Sequence, residues 1–295
     1  MNPRERGFLL LTSHLGDPDR RPLSPAQLRM LASRVQMGES ISTDREMTAA
    51  DLIALGYGRD MAAQILCLLE QEDLLDHYLR RAKKQDCVPV TRVSDHYPLL
   101  LRQRLGQDSP GCLWAKGDLS LLHTPAVSLV GSRDLGEENR RFSQAVGRYA
   151  ARQGLTLVSG NARGADKAAQ NACLAAGGNV ISIVADSLSS HEQRERVLYL
   201  SEDDYDTAFS AQRAISRNRC IHTLGRMVFV AQANLEKGGT WNGTVKNLRS
   251  GWSSVVCFRD GSEASRRLQD LGAWLIGIED LKDMEIFSEH SLFDR

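Results

Sequence analysis

The sequence predicts an α/β protein: a mostly parallel sheet with helices on both faces, preceded by a small α-helical domain. Two observations carry that reading. Up to about residue 87 the apolar residues recur at helical spacing, whereas beyond it short apolar runs alternate with amphipathic segments. The second texture is that of strands buried on both faces and joined by crossover helices. A chain of 295 residues, 42% hydrophobic and 25% charged, is long enough to bury one large domain and a small one.

The elements follow in order. Ser24 before Pro25 reads as an N-cap with proline at the first helical position, and Leu28, Leu31 and Val35 continue at helical spacing. "TAAD" (Thr48 to Asp51) has the form of a capping box ahead of Leu52 and Leu55, and a longer helix is expected from about Asp60 to Lys84. Between them, "LGYG" at 55–58 has two readings: a loop between packed helices, or the turn of a helix-hairpin-helix-like unit that binds phosphate backbone. Strands are expected at Val127–Val130, Thr156–Val158, Val180–Val184, Met227–Ala231, Ser254–Cys257 and Trp274–Ile276. Most are separated by helical patterns such as Phe142, Ala145, Val146 and Tyr149, or Ala168 to Ala176. The expected division is a helical domain over 1–87, the α/β domain over 88–285 and a tail over 286–295.

Composition narrows the function. Lys+Arg and Asp+Glu both total 37, so net charge neither requires nor forbids an anionic partner, and local distribution decides. From Phe209 to Leu235 there are four arginines and no acid, whereas Asp186 to Asp206 holds seven acids and two arginines. The six cysteines are scattered without a C-x-x-C pair, which suits reduced thiols in a cytoplasm. No stretch approaches the roughly 18 to 20 apolar residues of a membrane span. The seven histidines show no H-E-x-x-H or paired spacing, so no metal site is expected.

Chemistry concentrates where strands end. In "AVSLVGSRDL" the apolar run stops at Gly131, Ser132 and Arg133; at the carboxyl end of a strand, backbone N–H groups and a following helix N-terminus attract anions. "GSRDLGEE" has the glycine spacing of a phosphate-binding P-loop, but Glu137 and Glu138 stand at its Lys and Ser/Thr positions. No G-x-G-x-x-G follows any expected strand, which removes the dinucleotide reading. "LVSGNARGAD" repeats the device with Ser159, Gly160 and Arg163 before a helix begun near Asp166. "RNR" adds Arg217, Asn218 and Arg219, and "EKGGTWNGT" adds Lys237, Gly238, Gly239 and Thr240 at the start of another helix. Each segment alone also reads as a turn or an exposed basic helix; four of them at the strand ends of one sheet point to a phosphate-binding crevice.

The ordered series "YP" (97–98), "LWAKGD" (113–118), "VSLVGSR" (127–133), "LVSGNARGAD" (157–166), "RNR" (217–219) and "KGGT" (237–240) resembles the DprA/Smf family of DNA-processing proteins over roughly residues 90 to 260. The resemblance implies a Rossmann-like domain that binds single-stranded DNA without cutting it, acts as a homodimer and loads a RecA-type recombinase during natural transformation or recombination. By motif, it assigns phosphate contacts to Arg133 and Lys237, with Gly131, Ser132, Gly238, Gly239 and Thr240 giving backbone or hydroxyl contacts. No catalytic residue and no cofactor are implied. The chain departs from the pattern at Asn161, Ala165 and "WNGT", and between Val184 and Arg217, where an acidic segment replaces the family's signatures.

Two further readings remain open. A nucleotide sensor would use the same crevice, and the wider fold includes LOG-type phosphoribohydrolases, which need a glutamate just after a glycine-rich turn. Here Val245 and Lys246 follow "KGGTWNGT", leaving Asp166 and Glu236 as the nearby carboxylates for an oxocarbenium-like transition state. Trp241 stands where an aromatic could stack on a base, or equally in the core.

Overall fold

The computed structural model describes residues 1–37, 47–282 and 284; the expected tail, 286–295, lies outside them. Nine strands are described: β1 (Val88–Thr91), β2 (Cys112–Lys116), β3 (Ala126–Val130), β4 (Thr156–Ser159), β5 (Asn179–Ile183), β6 (Val197–Ser201), β7 (Met227–Val230), β8 (Ser254–Phe258) and β9 (Trp274–Ile276). The chain forms two compact units, Met1–Leu122 with Val184–Arg213, and His123–Ile183 with Ala214–Arg295. This division differs from a boundary at residue 87, because β1, β2 and β6 group with the N-terminal helices.

The first unit begins with α1 (Pro3–Thr12), α2 (Pro25–Met37), α3 (Ala49–Ala54), α4 (Arg59–Leu69) and α5 (Glu72–Lys83), and α6 (Leu99–Leu105) follows β1. Thr48 caps α3 in a capping box with Asp51, as its sequence predicts. The single helix expected over 60–84 is instead two, and buried Arg20 accounts for the break. Its guanidinium donates to the Leu68 carbonyl at 3.4 Å, an acceptor that a continuous helix would use itself, and is held there by Gln71 Oε1 at 2.6 Å. β1 and β2 pair antiparallel, as do β2 and β6. The acidic segment is structural here: Asp203 pairs with Arg213 at 2.6 Å, Asp204 accepts from Ser13 Oγ at 2.6 Å, and Asp206 accepts from Tyr78 Oη at 2.7 Å.

The second unit holds six parallel strands in the order β5-β4-β3-β7-β8-β9. Every residue of β3, β4 and β7 is buried, which is why these strands read as continuous apolar runs. From β3 the chain steps through α7 (Glu137–Arg152) to β4 and through α8 (Ala165–Ala175) to β5. It returns through α9 (Ala211–Ser216) and α10 (Asn218–Leu224) to β7 on the other side of β3, then steps outward through α11 (Gly238–Ser250) to β8 and α12 (Glu263–Asp270) to β9. Right-handed crossovers running in opposite directions put α7 and α8 on one face of the sheet and α11 and α12 on the other. Phe142 of α7 stacks on Phe258 at 4.6 Å between ring centroids, fixing that helix to the core. Strand order reverses between β3 and β7, and in such sheets the ligand crevice lies beyond the carboxyl ends of the strands at that reversal.

Candidate nucleic-acid interface

Three loops leave the carboxyl ends at the reversal: 131–136 after β3, 160–164 after β4 and 231–237 after β7. They are knitted together by their own backbone. Ser132 N donates to the Gln232 carbonyl at 3.0 Å, and Ala165 N donates to the Ser132 carbonyl at 3.2 Å. The Gln232 side chain completes the link, accepting from Gly136 N at 3.0 Å and donating to the Asp134 carbonyl at 3.3 Å. Asn139, buried in the first turn of α7, donates to the Ala231 carbonyl at 2.8 Å and to Asp260 at 2.9 Å. Sequence reasoning missed Gln232 and Asn139; the signal that marks them is an amide next to, or inside, an otherwise apolar face.

The glycines are required by close approach. A Cβ on Gly131 would lie 2.4 Å from Ala165 Cβ, so Ala165, a departure from the family pattern, is also a packing partner of the first loop. Gly164 has φ +84°, and a Cβ there would lie 2.5 Å from the carbonyl oxygens of both Ser132 and Arg133. Asn161 sits at φ +60°, a left-handed conformation that asparagine tolerates better than other non-glycine residues.

Beneath the loops lie two buried opposite charges, Asp166 and Arg217. Asp166 is 6% exposed, and its Oδ2 accepts from Gly160 N and Ala162 N, both at 3.1 Å. Gly164, not Asp166, is the N-cap of α8, so the carboxylate reaches back to fasten the preceding loop rather than capping the helix. Burial raises the Asp166 carboxyl above its ordinary range, and the Arg217 guanidinium opposes that shift. Arg217 is itself 6% exposed and lies across the end of β4, where a Cβ on Gly160 would fall 1.5 Å from its Nη1.

The sequence-selected residues therefore fall into two layers. Arg133, Arg163 and Lys237 are exposed; Arg163 meets Asp134 at 2.9 Å with both side chains in solvent, a pair too weak to withhold the guanidinium from a phosphate. Lys237 is the N-cap of α11, whose N-terminus carries no side-chain cap, and Gly238 follows at φ +81°. Gly131, Ser132, Gly239 and Thr240 are half-buried around these cations. Asn218 Nδ2 donates to the Gly239 carbonyl at 3.2 Å, tying the "RNR" segment to the glycine-rich turn, and Arg219 is half-buried beside it. Arg217, Gly160 and Ser159 form the lower layer. Ser159 is fully buried, with its Oγ accepting from Gln170 Nε2 at 2.6 Å. Trp241 is 7% exposed, in the core rather than at the mouth. Among the described residues, no group of three or more His, Cys, Asp or Glu is arranged to hold a metal, and no helix is long and apolar enough to cross a membrane.

The model of the family of DNA recombination-mediator protein A matches residues 89–251. The chain belongs to that family. It is 30% identical over 195 residues to Protein Smf of Escherichia coli, a match covering 62% of this chain and 48% of the relative. To DNA processing protein DprA of Streptococcus pneumoniae it is 28% identical over 214 residues, covering 69% and 73%. The chain thus spans about half the length of the E. coli relative. Among solved structures, DprA from Streptococcus pneumoniae superposes with a TM-score of 0.70 at 24% identity, covering 90% of this chain and 99% of that one. DNA processing protein A from Helicobacter pylori, described for its single-stranded DNA binding mode, superposes at 0.56 with 22% identity, covering 68% and 97%. The mediator family and its Rossmann-like fold agree with the resemblance read from the motifs.

Proposed function

We propose that this chain binds single-stranded DNA through its phosphates in the strand-end crevice, as a non-catalytic mediator of recombination. The observation that carries the reading is the pairing of exposed Arg133, Arg163 and Lys237 with the uncapped N-terminus of α11 at the point where strand order reverses. Cations neutralise successive phosphates, while backbone N–H groups of the first α11 turn fix register. The bases stay free for a recombinase to pair. The family supports a role in DNA processing, and the single-strand binding described for the Helicobacter pylori protein supports the choice of ligand. Action as a homodimer, delivery of the strand to a RecA-type recombinase and a cytoplasmic setting belong to the same proposal.

The phosphoribohydrolase reading is disfavoured by the carboxylates. Asp166 is buried and spends its Oδ2 on two backbone donors, and Glu236 is an exposed residue at φ +56° next to Lys237. Neither is held where it could protonate a leaving base inside a closed site. A salt titration with labelled oligo-dT tests the proposal: log affinity should fall linearly with log salt, by about 0.7 per phosphate contacted. Affinity indifferent to salt contradicts it.

A further inference from the structure

The segment "LGYG" plays no part in the crevice, yet it is built as a site. In the first unit it joins α3 to α4, with Gly56 at φ +83° and Gly58 as the N-cap of α4, making no side-chain cap bond. The first turn of α4 thus offers backbone N–H groups at Arg59, Asp60 and Met61. Beside this turn Arg34 of α2 lies over the Tyr57 ring, Cζ 4.3 Å from its centroid. Two polar atoms in this corner are buried without a hydrogen-bond partner, Arg34 Nη1 and Tyr57 Oη. Tyr57 is only 9% exposed. Both side chains line a cavity of about 230 Å³ whose other walls include Leu23, Met30, Met61 and Ile65.

Buried polar atoms are almost always paired, so two orphans around one cavity call for a ligand that supplies acceptors. The guanidinium, a hydroxyl and a helix N-terminus together suit an anion, with the exposed Asp60 carboxylate in the first turn as the opposing charge. The apolar walls suit a flat, poorly hydrated body beside that anion, and methionines at Met30 and Met61 adapt to its outline. A phosphodiester with its unstacked base combines the two. Glycines on both sides of Tyr57 let a strand's backbone approach the turn closely. A duplex keeps its bases stacked and does not fit.

We propose that the α2–α3–α4 corner is a second nucleic-acid site, holding one nucleotide of a single strand: its phosphate on the α4 N-terminus and Arg34, its base in the cavity. The choice of DNA as the polymer rests on the reading of the crevice; the site itself does not depend on it. The test uses the full chain carrying Arg133→Ala and Lys237→Ala, so that binding to a 20-nucleotide oligo-dT reports on the corner. Met30 is 49% exposed at the rim, where glutamate and lysine are both well tolerated in a helix. Met30→Glu should lower the residual affinity about 5-fold and Met30→Lys raise it by a similar factor, through repulsion or attraction of the phosphate. Arg34→Gln should lower it by roughly 10-fold or more, as expected for loss of a charge-assisted hydrogen bond. Oligonucleotide bearing 4-thiothymidine should photo-crosslink to peptides containing Met30, Tyr57 or Met61. Equal affinities for the two Met30 variants, or crosslinks confined to the second unit, overturn the proposal. So does Arg34-dependent binding of an acidic aromatic peptide that oligo-dT fails to displace. If Arg34→Gln does not fold, the Met30 pair carries the test alone. Should the crevice reading fail instead, Arg133→Ala with Lys237→Ala will leave affinity unchanged while the Met30 pair still moves it.

Discussion

Replacing Gly160 with alanine puts a methyl group where the Arg217 guanidinium lies. The new carbon would fall 1.5 Å from Nη1 and 2.2 Å from Cζ, and since Cβ contacts under 3.0 Å essentially never occur, the guanidinium must retreat by about 1.5 Å. Gly160 does not have a positive φ, so the substitution adds no backbone strain and the collision is the whole effect. Arg217 and Asp166 are each 6% exposed. The guanidinium is the strongest favourable charge acting on the buried Asp166 carboxylate, and forcing it toward solvent is expected to cost about 2–4 kcal/mol. At roughly 2–4 °C per kcal/mol, the melting temperature should drop by roughly 5–15 °C. Urea unfolding of Gly160→Ala, Arg217→Ala and the double variant gives the coupling directly. With the guanidinium gone the methyl group has nothing to strike, so Gly160→Ala should cost under about 0.5 kcal/mol in the Arg217→Ala background. Full additivity of the two costs, or a Gly160→Ala protein as stable as its parent, refutes the account of the crevice floor.

Other expectations follow from the same geometry. Arg133→Ala and Lys237→Ala should each weaken oligo-dT binding and reduce the salt slope by about 0.7, while unfolding midpoints stay within about 0.5 kcal/mol of the parent, because both side chains are exposed. His222 is fully buried, and burial pushes its imidazole down to about 4. A folded value below the unfolded one, about 6.5, means that stability is complete above pH 6.5 and lost as pH falls; at pH 5 the loss is about 2 kcal/mol. His222→Asn should flatten that decline between pH 7 and 5, and an equally steep decline in the variant counts against it. Asp166→Asn should leave the protein without detectable release of free base from nucleoside monophosphates, like the parent. Chromatographic detection of base from the parent alone would revive the phosphoribohydrolase reading.

The parallel strands were legible because the central ones, β3, β4 and β7, are buried on both faces, and an apolar run such as "VSLV" bounded by glycine has few other homes. β1, β2 and β6 were not. "VLYLS" lies inside the acidic segment 186–206, which masks it as a strand, and the acids just after it, Asp203, Asp204 and Asp206, each hold a specific donor. The break between α4 and α5 was hidden because its cause, Arg20, lies some fifty residues upstream. In the site, the exposed cations and glycines stood out by type and position. What sequence could not separate was the layer that contacts solvent from the layer beneath it: Arg133 and Arg217 look alike in one dimension, and only burial distinguishes them. Gln232 and Asn139, which knit the loops, carry no charge, and their only mark in the sequence is an amide beside or within an apolar face.

The central claim is that the strand-end crevice holds a single strand by its phosphates. Competition against labelled oligo-dT by unlabelled oligo-dT, duplex of equal length and nucleoside monophosphate, run on the parent and on Arg133→Ala with Lys237→Ala, tests it most directly. The account predicts displacement by the single strand well below the concentrations needed for duplex or mononucleotide, and at least a tenfold loss of single-strand affinity in the double variant, the equivalent of about 1.4 kcal/mol. Displacement by a mononucleotide at the same concentration as by the oligonucleotide, or unchanged affinity in the double variant, would contradict it.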